Sequence, residues 1–185
     1  QKKQEERIKK LLLQSGFIEF NGDRNISPPV WQFRREFRID FQCVGDMGKS
    51  NCAKIDFLIS MPTGLIFLEV DENQHKFGYT VPCDMKRMSN VMESLFLGGN
   101  TQHVLWLRYN PNAYQIDFVT QKKPKSARED WLKDRLLTCE FSQSNSAGCM
   151  MNIEYAYYDM QGGVLNVLYD PEYHEDYKAI AKSVG

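Results

Sequence analysis

The run Leu65-Ile-Phe-Leu-Glu-Val-Asp71 reads as a β-strand that is apolar on both faces until its last residues. Alternation puts Leu65, Phe67, Glu69 and Asp71 on one face and Ile66, Leu68 and Val70 on the other. A face that begins greasy therefore ends in two carboxylates one pleat apart. The preceding apolar segment, Lys54-Ile-Asp-Phe-Leu-Ile-Ser60, carries Asp56 between Ile55 and Phe57. If the two strands pair across Met61-Pro-Thr-Gly64, Asp56 sits beside Glu69. Ionised carboxylates converging at a strand end are costly unless cations or basic groups compensate them. Clustered hard oxygen ligands suit Mg²⁺ or Mn²⁺. Such an ion polarises a phosphoryl oxygen and lowers the pKa of bound water, the requirements of phosphodiester hydrolysis. The run continues Glu-Asn-Gln to His75, adding an imidazole able to act as acid, base or phosphate contact. The alternative is that these acids are simply solvated.

The rest of the chain predicts one α+β domain over residues 1–185. Its length suits one core and is short for two, and its first residue, Gln1, suggests a piece of a longer protein. Residues 4–15 carry Ile8, Leu11 and Leu12 at helical spacing, with Gly16 as the stop. Residues 21–29 read as a loop. Phe33, Phe37, Ile39 and Phe41 alternate with polar residues, which predicts a half-buried strand. With the strands at 54–60 and 65–71 it forms an antiparallel meander. Met85, Met88, Val91, Met92, Leu95 and Phe96 mark a helix ending at Gly98-Gly99, and residues 103–109 form a strand. Helix then strand implies a crossover back onto a mixed sheet. The C-terminal extension, 126–185, holds a short helix at 130–137 and an expected β-hairpin pairing 153–158 with 164–169 across Gln161-Gly-Gly163.

A net charge of -1 excludes a strongly basic DNA-coating protein, so any nucleic-acid surface is local. No apolar run approaches the ~18 residues of a membrane span, and the charged first ten residues lack a signal-peptide core. Five cysteines at irregular spacing argue against a disulfide framework. Together these place the chain inside the cell, in nucleus or cytoplasm, with no membrane partner.

Four strings taken together resemble the PD-(D/E)xK nuclease superfamily, with its restriction-endonuclease-like fold: Lys54-Ile-Asp-Phe57, Phe67-Leu-Glu-Val-Asp-Glu-Asn-Gln-His75, Cys83-Asp-Met-Lys-Arg-Met88 and Leu105-Trp-Leu-Arg-Tyr-Asn110. The branch of the very short patch repair endonuclease is the most similar. The likeness covers residues 33–114 and agrees in its order of strand, strand, strand, helix, strand. It implies a metal-dependent endonuclease, a hydrolase of phosphodiester bonds acting on DNA. Asp56 matches the first metal-binding acid and Glu69 the acid of the third strand, and the Val70 carbonyl with Asp71 completes the Mg²⁺ or Mn²⁺ ligands. Asp71 stands where the superfamily places a lysine, so His75, Gln74 or a helix cation such as Lys86 or Arg87 takes that role. A structural Zn²⁺ is known in this branch, but Cys43, Cys52 and Cys83 have no recognisable ligand spacing here, so none is expected.

Several candidates have ordinary alternatives. Arg87 either steadies a phosphate or pairs with Asp84 one helical turn away. Glu36 is an additional acid or a partner of Arg34 and Arg38. Arg108 binds phosphate or forms a salt bridge. Arg34, Arg35 and Arg38, with Lys86 and residues 122–128, are the expected backbone contacts to nucleic acid. The rival functions are a catalytically inactive nuclease-fold module binding nucleic acid or protein, an RNA nuclease, and an effector domain acting through protein contacts.

Overall fold

The computed structural model describes residues 2–23, 26–41, 52–75, 81–141 and 151–185. The expected N-terminal helix is α1 (Lys2–Gln14), whose Ile8 and Leu12 are buried. It stops where Gly16 adopts φ +92°, a left-handed conformation glycine takes without strain, and the Phe17 N–H returns to the Leu12 carbonyl. A two-residue strand, β1 (Ile18–Glu19), follows. The meander is β2 (Gln32–Asp40), β3 (Cys52–Met61) and β4 (Gly64–Val70), paired antiparallel as its turn spacing predicts. Then come α2 (Val81–Leu97) and β5 (His103–Tyr109), which lies parallel to β4. The remaining elements are β6 (Gln115–Ile116), β7 (Val119–Thr120), α3 (Lys125–Leu137), β8 (Met151–Ala156), β9 (Met160–Gln161), β10 (Val164–Leu165), α4 (Glu175–Ile180) and β11 (Ala181–Val184).

The main sheet runs β1-β2-β3-β4-β5-β8-β11, and a small second sheet runs β10-β9-β6-β7. Every residue of β4 is buried, as a strand apolar on both faces requires. Ile66, Leu68 and Val70 pack with Leu105 and Leu107 against α1 and α3. Leu65 and Phe67 pack with Val104 and Trp106 against Met85, Met88 and Val91 of α2. Each such side chain contributes roughly 1.5–3 kcal/mol by leaving water, so these two layers dominate the stability. Gly64 is dictated by close approach. A Cβ there would stand 2.6 Å from the His103 carbonyl oxygen.

Four expectations are corrected. The long C-terminal hairpin does not form: β8 inserts between β5 and β11, parallel to both, and only 160–161 and 164–165 pair across Gly162 and Gly163. A parallel partner leaves the same alternation in sequence as a hairpin partner, so the pattern did not separate them. Second, Phe33 joins the α1 side whereas Phe37 and Ile39 join the α2 side. Between them Glu36 has φ +45°, and a left-handed residue inverts the alternation that follows it. Third, Phe96 is exposed, because helix α2 turns it away from the core. The helix expected at 130–137 begins earlier, at Lys125.

Among the described residues, no helix is long and apolar enough to cross a membrane.

Candidate active site

Antiparallel pairing of Phe57 with Leu68 makes Asp56 and Glu69 the next residues along each strand. Asp56 is partly buried, and its Oδ2 accepts the Val70 N–H at 2.9 Å. Val70 thus enters the site through its amide. Glu69 is 3% exposed, and its Oε1 accepts from Arg87 at 2.5 Å. The same guanidinium nitrogen donates to the Lys54 carbonyl at 2.5 Å. Arg87, expected either to steady a phosphate or to pair within its helix, therefore reaches across from α2 to the sheet.

Burial pushes the Asp56 carboxyl up to about 6, with the Val70 hydrogen bond opposing and Glu5 and Asp71 adding to the rise. Burial pushes Glu69 up to about 7, and the nearby Arg87 charge does not cancel that desolvation. Asp56 and Asp71 repel its charge further. Two neighbouring carboxyls raised toward neutrality in this way are a common mark of a functional site.

Asp71 behaves differently. It is 0% exposed, and its Oδ2 accepts from Arg108 Nε at 2.5 Å and from the Tyr158 hydroxyl. Arg108, 2% exposed, also reaches Asp84 at 3.0 Å. Burial opposes the Arg108 charge, and Asp71, Tyr158 and Asp84 outweigh it. Burial, with the Asp71 charge next, holds the Tyr158 phenol protonated, so it donates. The cavity beside this cluster, lined by Asp84, Arg108, Tyr155, Tyr158 and Tyr173 among others, has about 50 Å³, too little for a nucleotide. Asp71 and Arg108 are thus a buried tie between β4, β5 and α2. Of the two roles open to Arg108, phosphate contact or salt bridge, the structure shows the salt bridge.

Other expected residues separate. Gln74 is held by Asp159: its side-chain amide donates to Asp159 Oδ1 and accepts from the Asp159 N–H, each at 2.8 Å. His75 closes the turn after β4, and its side chain lies outside the described residues. Glu36 is exposed on β2. Arg34 is corrected as a surface contact: it is buried, donates to the Gly22 carbonyl at 2.7 Å and stacks on Phe20. Arg35 pairs with Glu6 at 2.6 Å and Arg38 with Asp40 at 2.7 Å. Lys86 is exposed on α2. Cys43 lies outside the described residues, as do Arg24 and Cys149, while Cys52 and Cys83 form no disulfide among the described residues.

Sequence reasoning missed Glu5 and Tyr158. Glu5 is buried on α1 and its charge acts on Asp56. The signal was present, since Glu5 shares the i, i+3, i+7 stripe of Ile8 and Leu12. Tyr158 had no such signal, because its role depends on β8 lying beside β5.

Among the described residues, no group of three or more His, Cys, Asp or Glu is arranged to hold a metal ion. Mg²⁺, however, is commonly held by one or two carboxylates with waters and substrate phosphates. The Asp56–Glu69 pair fits that donor set, with Arg87 occupying one of its oxygens. Comparison with protein-family models, with curated proteins and with solved structures finds no match to this chain.

Proposed function

We propose that this chain is a metal-dependent endonuclease of restriction-endonuclease-like architecture that hydrolyses phosphodiester bonds, with DNA as substrate. The observation that carries the proposal is the pairing of Asp56 and Glu69 on adjacent strands, with carboxyls pushed up to about 6 and 7. A purely structural pair gains nothing from being held near neutrality, whereas a cation site gains two oxygen donors that ionise as the ion arrives. Mg²⁺ or Mn²⁺ bound there supplies Lewis acidity toward a phosphoryl oxygen and an acidified water. Asp56 and Glu69 hold that ion, Val70 fixes the Asp56 rotamer through its N–H, and Asp71 with Arg108 keeps the end of β4 in place. Arg87 is the cation nearest Glu69 and neutralises a phosphate oxygen once the ion competes for that carboxylate. His75 remains the expected proton carrier.

The test is cleavage of plasmid, single-stranded DNA and RNA with Mg²⁺ and with Mn²⁺. DNA cleavage abolished by Asp56→Asn and by Glu69→Gln is the expected result. Intact substrates under every condition overturn the proposal, and cleavage of RNA alone replaces DNA with RNA as the substrate. A second reading, an inactive nuclease-fold binding module, is favoured by the guanidinium of Arg87 on Glu69. Wild-type nucleic-acid binding without cleavage selects it.

A further inference from the structure

Strands β6 and β7 form a two-residue hairpin, Gln115 pairing with Thr120 and Ile116 with Val119. Its central residues, Asp117 and Phe118, have φ +50° and +66°. That turn geometry favours Asn-Gly or Gly-Gly, because a side-chain-bearing residue is strained there. Phe118 is nevertheless 73% exposed, and Val119 beside it is exposed as well. A bulky ring held in a strained turn and left in water does nothing for the fold. Lys122, Lys123 and Lys125 follow within seven residues and are all exposed. The one carboxylate of the turn, Asp117, is spent on the Gly162 N–H at 2.6 Å.

The hairpin is fastened to the turn that follows β4, two residues past Glu69. Asp159 Oδ1 accepts both the Gln115 N–H and the Gln74 side-chain amide, each at 2.8 Å. The Gln74 N–H in turn returns to the Asp71 carbonyl. From Gln115 to the ring is three residues, on the order of 10 Å along an extended strand. At the Gly162 side an open hollow of about 440 Å³ is lined by Gln161, Gly162, Asn166 and Tyr169, with Tyr169 59% exposed. It offers amide groups for base edges and a second aromatic face.

We infer that the Phe118 hairpin is a base-stacking tip that engages an unpaired nucleotide of the nucleic-acid strand entering the Asp56–Glu69 site. An exposed ring stacks on any base, and flanking lysines neutralise the phosphates on either side. The inference deepens the nuclease proposal and rests on it for the identity of the strand. An apolar tip ringed by lysines also suits an anionic membrane surface, but fastening to Gln74 and the loop after Asp71 favours the nucleic acid.

The test is fluorescence anisotropy of a labelled 12-nucleotide single strand in EDTA, where cleavage is absent. Phe118→Gly relieves the turn, so it retains the melting temperature, and it is expected to weaken binding about 5- to 100-fold. Phe118→Trp is expected to retain binding and show fluorescence quenching on addition of the strand. Equal affinity of wild type and Phe118→Gly overturns the inference, as does no binding by wild type. Phe118-dependent binding to phosphatidylserine vesicles without strand binding also overturns it, in favour of a membrane. Phe118-dependent strand binding without Mg²⁺-dependent cleavage supports the tip and sinks only the hydrolase assignment.

Discussion

Replacing both raised carboxyls, Asp56→Asn with Glu69→Gln, is expected to abolish a pH dependence of stability centred between pH 4 and 7. In the folded chain these groups hold protons up to about 6 and about 7, whereas the unfolded chain releases them near 3.8 and 4.5. Folded protein then binds more protons than unfolded protein across that window, so stability falls as pH rises. At about 1.4 kcal/mol per pH unit, each group alone corresponds to roughly 3 kcal/mol. Because Asp56 is only partly buried and solvent screens its share, the pair is worth about 3–4 kcal/mol rather than the sum. For a chain of this size that is roughly 6–16 °C of melting temperature. The replacements keep their neighbours: an Asn carbonyl still accepts from the Val70 N–H, and a Gln carbonyl still accepts from Arg87. Thermal melts of both proteins from pH 4 to 8 isolate the pair, since every other titrating group cancels in the difference. The double variant should be the more stable protein at pH 8, and the advantage should vanish near pH 4. Parallel curves for the two proteins would refute the reasoning, because they would mean that burial leaves these carboxyls ordinary.

Asp71→Asn leaves Arg108 buried with Asp84 as its remaining acidic partner, and breaking such a pair costs about 3–5 kcal/mol. Urea denaturation reads this directly, and a loss below about 1 kcal/mol contradicts the structural role given to Asp71. Gly64→Ala forces a Cβ to within 2.6 Å of the His103 carbonyl oxygen and 2.7 Å of the Phe141 ring. It should destabilise by roughly 1–3 kcal/mol in the same assay, whereas a neutral outcome would show that β4 and β5 separate easily.

Much of the fold could be read from residue order because β4 advertises itself. A strand apolar on both faces belongs inside a sheet, and the short turns before it allow only a meander. The helical spacing of Met85, Met88 and Val91 likewise placed α2 on the face that Leu65 and Phe67 present. What failed was long-range. Alternation in 153–158 specifies a strand but not its neighbour, so β8 was assigned to a hairpin when it belongs beside β5. The inversion at Glu36 depends on one backbone angle that no pattern encodes. In the site, Asp56 and Glu69 came together because adjacent strands make neighbours of register partners. Asp71 was grouped with them by pleat alone. The sequence offered no hint that Arg108 and Tyr158 would converge on it, because both arrive from far along the chain. Gln74 was similarly claimed by Asp159, 85 residues away.

Calorimetric titration of Mn²⁺ into the protein at pH 8 tests the central claim most directly. Wild type should bind one ion, Asp56→Asn and Glu69→Gln should each lose it, and Arg87→Ala should bind it more tightly because that guanidinium competes for Glu69. Identical heats for wild type and Asp56→Asn, or no Mn²⁺ binding by wild type, would contradict the account.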